Sequence, residues 1–120
     1  MSSIKSYKEL IVWQKSMKLV TMVYELSKKF PDDEKFGLTS QMRRCSVSVP
    51  SNIAEGWGRL SRKNYIQFLR ISRGSLFELE TQVLITKELN YINDSVIIES
   101  LIIEISKMLN SLIKKLEEKN

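Results

Sequence analysis

Ser40-Gln-Met-Arg-Arg-Cys-Ser-Val-Ser-Val-Pro-Ser-Asn-Ile-Ala-Glu-Gly-Trp-Gly-Arg59 is the stretch from which the fold is read. Met42, Cys45, Val49 and Ile53 recur at helical spacing, with Trp57 extending the stripe, so the segment reads as an amphipathic helix. Pro50 falls inside that run, where a proline costs a helix about 3 kcal/mol. Ser46, Ser48 and Ser51 surround it, placed to bond the carbonyl that the missing N–H leaves free. The reading is therefore a helix kinked near Pro50 rather than broken there. Arg43 and Arg44 flank the stripe, and Gly56 and Gly58 soften its end.

Three further helices follow on either side. Ser6 with Glu9 has capping-box spacing, and no Gly or Pro interrupts the chain from Tyr7 to Lys29. That first helix carries two apolar stripes, Leu10, Trp13, Met17, Val20 and Tyr24 beside Val12, Leu19, Val23, Leu26 and Phe30. A helix apolar over so much of its circumference needs covering on more than one side, which predicts a contact between subunits. Pro31-Asp-Asp-Glu34 breaks the chain, and Thr39 or Ser40 is placed to cap the second helix. Ser61 caps a third, with Tyr65, Phe68, Leu69, Leu76, Leu79, Val83 and Thr86 on one stripe. Gly74 in its middle, between Ser72 and Ser75, predicts close approach of helix two, so that Pro50 and Gly74 mark the crossing. The fourth helix turns Ile98, Leu101, Ile102, Ile105, Met108, Leu109, Leu112, Ile113 and Leu116 inward. The expected helices span about 7–29, 39–58, 62–90 and 95–118 with no strand pattern, an all-α, up-down antiparallel four-helix bundle in a single domain over 1–120.

Composition narrows the function. The chain has 120 residues, 42% hydrophobic and 28% charged, an ordinary balance for one globular domain. No apolar run reaches the roughly 20 residues of a membrane span, and the N-terminus lacks a secretory core, so a cytoplasmic protein is expected. Cys45 is the lone cysteine and there is no histidine, which disfavours zinc sites, Cys-His nucleophiles and di-metal bundles built on Glu-x-x-His. Glu78 and Glu80 point to different sides of a helix, Asp32 and Asp33 lie in a solvated turn, and no glycine loop cradles a phosphate. A non-enzymatic protein without metal, cofactor or small-molecule substrate is expected. Arg43, Arg44, Arg59, Arg62, Lys63, Arg70 and Arg73 stand against Glu55 alone between 41 and 73, seven cations to one carboxylate, within a chain of net charge +5. Such asymmetry suits an anionic partner.

Trp13, Phe36-Gly-Leu-Thr-Ser-Gln-Met-Arg-Arg44, Ser48-Val-Pro-Ser-Asn-Ile-Ala-Glu-Gly56 with Arg59, and Gly74-Ser-Leu-Phe-Glu-Leu-Glu-Thr81 occur in that order along the chain. Together they resemble the four-helix bundle proteins encoded in intervening sequences of bacterial 23S rRNA genes, a family that includes relatives of the accessory variability protein of diversity-generating retroelements. The resemblance implies a cytoplasmic bacterial protein assembling into a ring, typically a pentamer, with a basic surface suspected of binding nucleic acid. It carries over onto Arg43, Arg44, Ser48, Pro50, Asn52, Glu55, Gly56, Arg59, Gly74, Ser75, Glu78 and Thr81. Ser48, Asn52, Glu55, Ser75 and Glu78 read as a polar network between helices or subunits, with Arg44 and Arg73 as candidate partners of the two glutamates.

Two functions compete. The first is a homo-oligomeric RNA- or DNA-binding protein using Arg43, Arg44, Arg59, Arg62, Lys63, Arg70, Arg73, Lys15 and Lys18 on phosphates, with Trp57 and Tyr65 as candidate base-stacking platforms. The second is a protein-interaction scaffold or accessory subunit of a nucleic-acid enzyme such as a reverse transcriptase.

Overall fold

A computed structural model describes residues 3–119. Four helices follow in order, α1 (Ile11–Ser27), α2 (Leu38–Trp57), α3 (Arg62–Glu88) and α4 (Val96–Glu117), with 3-10 turns at Tyr7–Glu9 and Asp32–Glu34. No strand occurs among the described residues. Consecutive helices pack side by side, α4 returns to α1, and the diagonal pairs stay apart, which makes a square bundle of 49 × 24 × 20 Å. Leu19, Val23, Met42, Val49, Ile53, Leu69, Leu76, Leu79, Val83, Ile105 and Leu109 are fully buried along its axis.

The caps explain the helix ends. Ser61 Oγ accepts from Asn64 N at 3.0 Å and starts α3. Asn90, at φ 61°, ends it: Tyr91 N donates to Thr86 O and Asn90 N to Lys87 O, the paired bonds of a Schellman motif. That turn throws Tyr91 back onto Phe30, with ring centroids 5.7 Å apart. Neither Thr39 nor Ser40 caps α2. Glu34 does so from the preceding turn, its Oε1 accepting Leu38 N at 3.1 Å. The first helix also starts later than expected. Ser6 Oγ accepts from Lys8 N within a 3-10 turn, and Leu10 is extended at ψ 124°. The extension lets Tyr7 fold against Trp13 and Trp57, at centroid distances of 5.3 and 6.5 Å.

The tight crossing is one-sided. A Cβ on Gly56 would stand 2.8 Å from Phe68 Cβ and 3.0 Å from Tyr65 Cδ1, so this glycine sets the separation of α2 and α3. Gly74 does not: a Cβ there would meet nothing within 4 Å. Gly74 lies on the outer side of α3, whereas Ser72 and Ser75, close to it in sequence but turned away from it around the helix, face α2. The serines around Pro50 are also engaged elsewhere than expected. Ser46 Oγ donates to Arg43 O and Ser48 Oγ bonds Ser75 Oγ, both at 2.8 Å, while Ser72 Oγ reaches across to Val49 O. In α1 the stripe Val12, Ser16, Leu19, Val23 and Ser27 is the buried one. Met17 and Tyr24 of the other stripe stay largely exposed beside α2.

Candidate nucleic-acid interface

The fold sorts the charges along the long axis. The turn before α1, the α2–α3 junction, the first turns of α3 and the last turns of α4 meet at one end, as the Tyr7–Trp57 and Arg70–Glu117 contacts show. Lys5, Lys8, Arg59, Arg62, Lys63, Arg70, Lys114, Lys115 and Lys119 gather there against Glu9, Glu55, Glu117 and Glu118. Nine cations against four carboxylates leave a balance of +5. The opposite end, tied by the Tyr91–Glu34 bond of 2.7 Å, carries Glu25, Asp32, Asp33, Glu34, Glu88, Asp94 and Glu99 against Lys28, Lys29, Lys35 and Lys87, a balance of −3.

At the basic end a cleft of about 510 Å³ opens between α3 and α4, with Ile66 and Leu116 on its floor. Arg62, Lys63, Gln67, Arg70 and Lys119 line it, and Glu117 is its carboxylate. The amino end of α3 adds a positive helix pole beside Arg62 and Lys63.

The nine cations singled out in the sequence separate into two groups. Arg43 is structural: its Nε donates to Ser27 Oγ at 2.8 Å and its guanidinium lies 4.8 Å from the Tyr24 ring centroid. Lys15 pairs with Glu104 at 3.0 Å, Arg59 with Glu55 at 2.8 Å while covering Phe68, and Arg70 with Glu117. Arg73 donates to Asn110 Oδ1 at 2.9 Å. Among the described residues Lys18, Arg44, Arg62 and Lys63 are exposed and make no ion pair. Lys18 lies on α1 and Arg44 on the outer side of α2, away from the end cleft. Trp57 packs against Tyr7, and Tyr65 lies half-buried against Gly56, its hydroxyl pushed up by burial.

The polar set at the α2–α3 seam is a bonded structure in its own right. Asn52 Nδ2 donates to Ser48 O at 2.8 Å and to Ser48 Oγ at 3.0 Å, and Ser48 meets Ser75. Neither Arg44 nor Arg73 pairs with Glu55, which Arg59 takes. Arg44 and Glu78 instead line a polar groove of about 500 Å³ with Phe36, Ser40 and Gln41, without an ion pair between them. Beneath it, Cys45 Sγ donates to Ser75 O at 3.1 Å; burial, and then the nearby Glu78 charge, push its thiol up to about 12.

The family model for the 23S rRNA-intervening sequence protein matches residues 8–111, nearly all of the four helices. The chain belongs to that family. A crystal structure of a protein of unknown function from the S23 ribosomal protein family of Bacteroides thetaiotaomicron VPI-5482 is similar to it, with a TM-score of 0.80 and 28% identity over 87% of this chain and 99% of that one. Comparison with functionally curated proteins gives no match. Among the described residues no helix is long and apolar enough to cross a membrane.

Proposed function

We propose that the protein is a non-catalytic, cytoplasmic homo-oligomer, a pentameric ring, that holds RNA or DNA through its phosphates at the basic end of the bundle. The observation that carries this reading is the cleft in which Arg62 and Lys63, which make no ion pair among the described residues, stand beside Arg70 and Lys119 at the amino end of α3. In a closed ring whose bundles stand along the ring axis, every copy presents the same end to the same side and each subunit adds its +5 to one face. Contacts to phosphate carry little sequence information and weaken with salt. A bend of α2 at Pro50, shaping the α1–α2 side for a neighbour, belongs to the same reading. Affinity for RNA and DNA, measured from low to physiological salt, tests it. Binding at low salt that is lost when Arg59, Arg62 and Lys63 become glutamate supports the reading, and no binding at low salt, or binding indifferent to those changes, overturns it.

The acidic opposite end, with Phe36 90% exposed beside it, favours a second reading in which the bundle is an accessory subunit, like the retroelement protein, bridging RNA and an enzyme such as a reverse transcriptase. A complex with such an enzyme that survives nuclease treatment distinguishes the two.

A further inference from the structure

Scattered exposed aliphatic side chains need no explanation, but this bundle has two apolar surfaces on different sides. Between α1 and α2 runs a groove of about 310 Å³ lined by Trp13, Met17, Val20, Val47 and Pro50, with no charged side chain in its lining. Met17 is 43% exposed and Val47 40%, so the groove is open. The other face follows from the α3–α4 register. Arg73 reaches Asn110, and Phe77 and Leu84, one and three turns further along α3, and Ile103, two turns back along α4, fall on the same helix sides as those two residues. Phe77 is 53% exposed, and Ile103 and Leu84 are nearly as open. Because the four helices form a square with α1 and α2 on one side and α3 and α4 on the other, the groove and this ridge lie on different sides of the bundle.

We infer that the Phe77 ridge of one copy seats in the α1–α2 groove of the next, a head-to-tail contact between copies of this chain. The inference rests on the homo-oligomeric reading above and specifies its interface. An uncharged groove and an exposed strip of Phe77, Leu84 and Ile103 fit the pattern of interface cores, which are depleted of charge and enriched in aromatic residues. One side of a bundle 49 Å long and at least 20 Å wide is large enough for the roughly 800 Å² that a standard interface takes from each partner. Two different surfaces in contact generate rings or open chains, never a closed two-fold dimer. The groove reaches Tyr7 and Ala54 near the basic end but does not include Arg62, Lys63 or Arg70, which line the α3–α4 cleft.

Two single blocks test the pairing. Phe77→Glu removes the ridge and leaves the groove; Met17→Glu removes the groove and leaves the ridge. Both positions are exposed, and Val47→Glu replaces Met17→Glu should that variant lose its helical circular dichroism. The wild type is expected to be multi-subunit by light scattering, each variant monomeric, and an equimolar mixture of the two a dimer of one copy each, since one intact ridge and one intact groove remain. An oligomeric wild type whose variants keep its mass, or whose monomeric variants do not combine, overturns this contact alone. A monomeric wild type overturns the homo-oligomeric reading with it.

Discussion

The same substitution, glycine to alanine, has opposite signs at the two helical glycines of α2 and α3. At Gly56 the new Cβ meets Phe68 Cβ at 2.8 Å and Tyr65 O at 3.2 Å, against about 3.5–4.0 Å for relaxed carbon contacts. Neither obstacle is a flexible chain end, so α2 and α3 must move apart along a seam already fixed by the Ser48–Ser75 and Ser72–Val49 bonds. Overpacking of this kind costs about 1–3 kcal/mol, offset by up to about 1 kcal/mol of helix propensity, so Gly56→Ala loses about 1–2 kcal/mol. At Gly74 nothing lies within 4 Å and the backbone is ordinary helix. Gly74→Ala therefore gains about 0.5–1 kcal/mol, mainly by restricting the unfolded chain. Urea unfolding followed by far-ultraviolet circular dichroism, at one fixed protein concentration, reads both. A Gly56→Ala protein as stable as the wild type, or a destabilised Gly74→Ala, refutes the account of how the two helices cross.

Other perturbations address single contacts. With its thiol pushed up to about 12, Cys45 is almost wholly protonated near neutral pH, so a disulfide reagent should modify the native protein about a thousandfold more slowly than the urea-unfolded chain; comparable rates contradict the burial of the thiol. Because that folded value lies above the unfolded one, the stability it contributes is complete below the ordinary thiol range and drains away as pH rises towards about 12. The Tyr91 hydroxyl, then Leu38 N, hold Glu34 below the usual carboxylate range. Tyr91→Phe should therefore destabilise at neutral pH, with the gap from wild type narrowing as acid protonates Glu34; a gap independent of pH denies the bond that role. Among the described residues Gln82 Oε1 is buried without a hydrogen-bond partner, so Gln82→Met is expected to raise stability by about 1 kcal/mol in thermal unfolding, and a loss contradicts the orphaned oxygen.

Local signals carried the architecture. Ser61 before a long apolar stripe, Pro31 after Phe30, and the absence of alternating patterns are properties of neighbouring residues, and the helices follow them closely. Contacts between distant residues were not legible in the same way. A glycine in a helix announces a missing side chain, not the partner that uses the space, and hence Gly74 suggested the crossing that Gly56 makes. Arg70 and Glu117 are 47 residues apart, so their pairing, like that of Lys15 with Glu104, depends on the register of the bundle. The stretch from Asp94 to Lys119 is nearly neutral as a sequence. The bundle divides it, leaving Asp94 and Glu99 at the acidic end and bringing Lys114, Lys115 and Lys119 beside Arg62. The polarity of the molecule thus arises from antiparallel packing of helices whose charges are uneven along their length.

The central claim, that free cations at one end of the bundle hold phosphates, is tested most directly by the salt dependence of binding to a single-stranded RNA. Each phosphate contact contributes about 0.7 to the slope of log affinity against log salt. Replacing Arg62 and Lys63 with glutamine should flatten that slope by about 1.4, while the same change at Lys28 and Lys29 of the acidic end leaves it unaltered. Equal slopes for all three proteins, or equal flattening by both pairs, would contradict a phosphate site at the basic end.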